Sequence, residues 1–86
     1  MRSTRNEAVS ITSDRSSLIT LARGLHILEA LADAPAEGMT HAALARHLGL
    51  QRSTLYRYLS ALQELGFVEL VEGSARYRLG HRAVHM

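Results

Sequence analysis

Apolar positions recur along this chain with a helical period in three stretches and with a strand period in one. The order of the four predicts the fold. From Thr20 to about Ala34, Leu21, Leu25, Leu28 and Ala32 repeat every three or four residues with Ile27 and Leu31 beside them. This predicts a helix capped by Thr20 and stopped by Pro35. The stripe is wider than a coiled-coil seam, so the helix is expected to pack on two neighbours. Gly24 inside it costs about 1 kcal/mol relative to Ala, which suggests a close helix contact there. Pro35 to Met39 reads as a turn, and Thr40 as the next cap. The second helix, about His41 to Leu48, turns Ala42, Ala43, Leu44, Ala45 and Leu48 inward and stops at Gly49, a residue suited to the left-handed position after a helix.

The third helix follows after only Leu50 and Gln51. On it Leu55, Tyr58, Leu59, Leu62 and Leu65 share one face, while Ser53, Tyr56, Arg57 and Ser60 share the other. Two short helices broken at a Gly by about three residues are the signature of a helix-turn-helix. After Gly66 the period changes to alternation. Residues 67–71 and 75–79 read as antiparallel strands around a Glu72-Gly73-Ser74 turn, with Arg76 and Arg78 on the face away from Tyr77. A two-stranded hairpin is not stable alone and must lean on the helices. The fold class is therefore mainly α with a small β-hairpin: a winged helix-turn-helix of three helices and a two-stranded wing, spanning residues 18–80. Residues 1–17, rich in Ser and Thr with Arg2, Arg5 and Arg15 among them, read as a flexible arm able to reach a minor groove or simply to stay solvated. Residues 81–86 restart a helical pattern.

Composition narrows the function. The 86 residues hold no Cys, which excludes disulfide scaffolds, thiolate zinc sites and thiol catalysis. No stretch approaches the roughly 20 apolar residues of a bilayer span, and no apolar run follows the basic residues near the start, so a cytoplasmic protein without membrane contact is expected. The net charge of +2 decides little, but its distribution decides more. Between Gly38 and Gln63 there is no acidic residue, only Arg46, Arg52 and Arg57 among the fixed charges. Guanidiniums and hydroxyls at the start of a helix, where free N–H groups and the positive dipole end also lie, suit a polyanion. His81 and His85 share a helical spacing but lack a third ligand, so no metal or cofactor is expected. No nucleophile–base grouping, phosphate loop or carboxylate pair has catalytic spacing, so no enzyme is expected either.

The stretches Thr20-Leu-Ala-Arg-Gly-Leu-His-Ile-Leu28, Leu44-Ala-Arg-His-Leu-Gly-Leu50, Arg52-Ser-Thr-Leu-Tyr-Arg-Tyr-Leu59, Leu62-Gln-Glu-Leu-Gly-Phe67 and Tyr77-Arg-Leu-Gly80 occur in the order and spacing of one family. Together they resemble the N-terminal DNA-binding domain of IclR-family transcriptional regulators. The resemblance implies a homodimer that sets two recognition helices into the major grooves of a pseudo-palindromic double-stranded DNA operator. It also implies a small-molecule effector bound by a separate C-terminal domain, with residues 81–86 beginning the linker helix to it. Gln51 departs from the family pattern, where Pro is common, and so do Tyr56 and Tyr58, where smaller or non-aromatic side chains are usual.

Within this frame Arg52 and Arg57 are the first candidates for DNA contact, since an Arg fork reads guanine edges. Ser53 and Thr54 either cap the third helix or bond to phosphate or base. Tyr56 is placed to alter base preference, and Thr40 to cap the second helix beside a phosphate. Arg23 either meets the backbone or stays in solvent. Arg76, with Ser74 at the wing tip, is placed to reach a phosphate or the minor groove. A winged helix serving only protein–protein interaction is the alternative, and it would place apolar or mixed-charge residues where Ser53, Arg57 and Ser60 stand.

Overall fold

The computed structural model describes residues 3–85, with side chains from residue 15 onward. Met1, Arg2 and Met86 lie outside the described residues, and with them the two ends of the expected arm and terminal segment. The elements run α1 (Ser3–Ala32), β1 (Met39–Thr40), α2 (His41–Leu48), α3 (Arg52–Glu64), β2 (Val68–Leu70), β3 (Arg76–Leu79) and α4 (His81–Val84).

Two expectations about α1 need correction. The helix does not begin at Thr20, and the segment expected as a flexible arm is helical from Ser3. No Gly or Pro precedes Gly24, so nothing in the residue types forces a break, and a Thr within such a run is not a cap by itself. The buried face is also rotated from the one expected. Ile27, Ala30 and Leu31 enter the core, while Leu21 and Leu25 are 57% and 50% exposed. A Cβ on Gly24 would meet nothing within 4 Å, so no close helix contact among the described residues explains that glycine.

The helix-turn-helix forms where local chemistry specifies it. The Thr40 hydroxyl accepts the backbone N–H of Ala43 at 3.1 Å and so caps α2, and Gly49 ends it at φ 69°. Leu44 and Ala45 are the buried residues of α2, and Ala42 is exposed, not inward. From α3, Leu55 and Leu59 close the core, with Tyr58 and Leu62 packed at its edge. Leu65, expected on the same face, follows the last helical residue and is 56% exposed.

The wing is a three-stranded antiparallel sheet in the order β1-β3-β2. Sequence periodicity predicts only two of these strands. Met39 pairs with Tyr77 and Thr40 with Arg76, so the residues leading into α2 are bound to the central strand of the sheet, β3. Gly38 makes this approach possible. Its φ is 92°, and a Cβ there would lie 2.4 Å from the Tyr77 carbonyl oxygen. Along β3, Tyr77 and Leu79 are half-buried and Arg76 and Arg78 exposed, the alternation expected from the sequence.

Candidate nucleic-acid interface

The two helices of the helix-turn-helix begin differently. In α2 the first turn is closed by Thr40. In α3 the capping position is Gln51, with extended backbone at φ −66° and ψ 149°, and its side chain makes no capping hydrogen bond. Ser53 and Thr54 lie inside the first turn, so neither is the cap residue. Unsatisfied N–H groups and the positive end of the helix dipole therefore face outward between Arg52 and Thr54. Arg52, Ser53, Tyr56, Arg57 and Ser60 are all exposed, and Thr54 is half-buried. Tyr56, at 59% exposure, presents a large aromatic ring on this face.

Neither Arg52 nor Arg57 forms an ion pair among the described residues. Arg46 and His47, in the last turn of α2, are exposed as well. Among the described residues nothing covers the outer face of α3, whose side chains stand exposed.

The wing residues are more constrained. The Ser74 hydroxyl donates to the Val71 carbonyl at 3.1 Å and accepts the Arg76 N–H at 3.2 Å, which fixes the turn. Arg76 Nη1 donates to the Gly38 carbonyl at 3.2 Å. This uses one of five guanidinium donors and leaves an exposed head. Arg78 is held by Glu69 across the hairpin, so its charge is neutralised locally.

Arg23 is exposed on α1, and its guanidinium lies beside the Tyr58 phenol together with the Thr20 hydroxyl. Arg23 first, then Thr20, hold the Tyr58 pKa below the ordinary 10.0. Thr20, expected as a cap, lies inside α1 and lines one groove with Tyr58 of α3. This link between α1 and α3 was not visible in sequence, because nothing in residue spacing joins positions 23 and 58. Among the described residues no cluster of three His, Cys, Asp or Glu could hold a metal ion, and no helix is long and apolar enough to cross a membrane.

Residues 20–72 match the model of the IclR helix-turn-helix domain. The HTH-type transcriptional regulator TtgV of Pseudomonas putida is 40% identical over 60 residues, an alignment covering 70% of this chain and 23% of TtgV. The chain thus spans about a quarter of that relative's length. A solved IclR transcriptional regulator from Silicibacter sp. TM1040 superposes with a TM-score of 0.69 at 36% identity, over 77% of this chain and 26% of that one. The ORF112 Zalpha domain of cyprinid herpesvirus 3, solved for its mode of binding to Z-DNA, superposes with a TM-score of 0.60 at 29% identity, over 67% of this chain and 92% of that domain.

Proposed function

Because the chain belongs to the IclR helix-turn-helix family and is a DNA-binding domain of the transcriptional-regulator type, we propose that it reads a specific operator by laying α3 in the major groove. The observation that carries this reading is the open, acid-free first half of α3. There Arg52, Ser53, Tyr56 and Arg57 are exposed beside uncapped N–H groups.

In this reading Arg57 and Arg52 fork onto guanine edges or phosphates, and Tyr56 stacks on or abuts a base. Ser53 and Thr54, with the N–H groups of the first turn, bind a phosphate. Thr40 keeps α2 oriented across the backbone. Arg76 and Ser74 bring the wing against flanking phosphate or the minor groove, and Arg23 adds a backbone contact from α1. The domain acts by binding and performs no chemistry of its own. It works as a homodimer on a pseudo-palindromic site, in the cytoplasm, with effector sensing in a further domain joined through a linker that α4 begins.

Selection from a pool of random duplexes tests this. The expected result is enrichment of an inverted repeat whose half-sites are centred about one helical turn, roughly 34 Å, apart or a multiple of it. Recovery of duplexes with no shared sequence would refute specific reading.

A further inference from the structure

Tyr58 stands on the packed face of α3 with Leu55 and Leu62, and its half-buried ring packs at the edge of the core. That packing uses the ring and not the hydroxyl. The phenol oxygen is the polar end of a rigid side chain and emerges at the junction of α1 and α3. An open depression of about 290 Å³ lies there, lined by Thr20, Arg57, Tyr58 and Ala61. Arg23 follows Thr20 by three residues and so neighbours it on the surface of α1, and its guanidinium lies beside the phenol.

This junction is cationic. From Arg15 to Leu28 α1 carries no acidic residue, and neither does the chain from Met39 to Gln63. Neither Arg23 nor Arg57 forms an ion pair among the described residues. Ala61 offers only a methyl group to the depression, which leaves room for a small anion between donors from both helices. An exposed Arg gives up rotamer freedom when it seats on a phosphate. A phenol oxygen that already accepts from the guanidinium confines it beforehand, and such preorganisation raises affinity without any new contact to the ligand.

We propose that Tyr58 is a positioning residue for DNA binding: its hydroxyl holds the Arg23 guanidinium at the junction of α1 and α3, turned to one phosphate of the duplex backbone. The Thr20 hydroxyl lies on the same side, and Arg57 raises the positive potential from α3. The phosphate flanks the bases that α3 meets, so the contact sets how deeply the helix enters the groove and carries no sequence preference of its own. The inference rests on the operator reading above and on Arg23 as a backbone contact. It adds the residue that makes Arg23 a fixed contact.

Fluorescence anisotropy on a single operator half-site and on a scrambled duplex, each over a series of salt concentrations, tests it. Tyr58→Phe keeps the ring and removes only the hydroxyl, so Tm should be unchanged. Its dissociation constants for the two duplexes should rise by the same factor, about two- to tenfold, and the slope of log K against log salt should shrink. Arg23→Gln should raise both constants about tenfold or more and shrink the slope by about 0.9. In the Arg23→Gln background, Tyr58→Phe should change nothing further. A hydroxyl that served only the fold would instead lower Tm on removal and leave the salt slope alone.

Tyr58→Phe binding both duplexes like wild type, or losses that add in the double variant, would overturn the positioning role and leave Arg23 and the operator reading in place. A loss confined to the operator half-site would make Tyr58 a base contact and overturn it as well. Arg23→Gln binding like wild type would remove the backbone contact and this proposal together, without touching the placement of α3. If the wild type prefers no sequence but both variants weaken every duplex as described, the operator reading fails and the phosphate site stands.

Discussion

Replacing Arg57 with Ala probes the reading surface with little cost to the fold. Its side chain is exposed and in no ion pair among the described residues, so folding stability should change by no more than about 0.5 kcal/mol. An Arg forked on a guanine edge carries about 1 to 3 kcal/mol of discrimination. At roughly 1.4 kcal/mol per factor of ten, the dissociation constant for one half-site should rise about 5- to 150-fold. A phosphate contact would behave differently: affinity would fall for all sequences alike, and the slope of log K against log salt would shrink by about 0.9. Fluorescence anisotropy on the selected operator and on a scrambled duplex, each at two salt concentrations, separates the two. The expected outcome is a loss confined largely to the operator. Arg57→Lys should fail to restore operator binding, because an ammonium keeps the charge but lacks the fork. Operator binding equal to wild type in Arg57→Ala, with melting unchanged, would refute the placement of α3.

Two further predictions test the supports of that surface. Thr40→Ala removes the hydroxyl that accepts the Ala43 N–H and should destabilise the domain by about 1 kcal/mol, lowering Tm by roughly 4 to 8 °C in a melt followed by circular dichroism; Thr40→Ser keeps the acceptor and should keep Tm. In an ultraviolet titration of the phenols Tyr58 should ionise below 10.0, and Arg23→Gln should move that transition up. The sign follows from the depressed folded value: folding favours the phenolate, so this contribution to stability is complete above pH 10.0 and is lost as pH falls through the folded pKa. A transition unmoved by Arg23→Gln would show that the guanidinium does not hold the phenol.

What could be read from the sequence was what local chemistry decides. The bounds of α2 follow from a Thr before it and a Gly after it, because each satisfies backbone groups within one turn. The buried pair Leu55 and Leu59 and the alternation of Arg76 to Leu79 follow from periodicity. The candidates Arg52, Ser53, Tyr56 and Arg57 were legible as an exposed face for the same reason. Periodicity reports that a face is apolar but not what covers it, and so Leu21 and Leu25 were assigned to a core that Ile27, Ala30 and Leu31 fill. β1 was hidden for a different reason. Two residues, Met39 and Thr40, have no strand signal of their own and become a strand only through Tyr77 and Arg76, far along the chain. The start of α1 was misplaced because Thr20 resembles a cap, although no Gly or Pro interrupts the chain before it.

These long-range links determine how the reading surface is held. Thr40 is at once the last residue of β1 and the cap of α2, and Arg76 opposite it donates to the carbonyl of Gly38. The wing and the start of α2 therefore move as one body. The other end of α3 is held separately: the Gly80 N–H donates to the Phe67 carbonyl at 2.7 Å, and a Cβ on Gly80 would lie 2.5 Å from the Gly66 carbonyl oxygen. The strand leaving the wing is thus pressed against the turn that ends α3. Arg82 beyond it donates its N–H to the Gly66 carbonyl at 3.0 Å and lies over the Phe67 ring at 5.7 Å. A displacement of the chain following Gly80 would accordingly be felt first at the C-terminal end of α3, and only through β3 at the wing. The uncapped start of α3 is the part of the helix furthest from that attachment, so such a displacement would tilt the helix about its C-terminal end and leave the exposed side chains of its first turn in the same local arrangement.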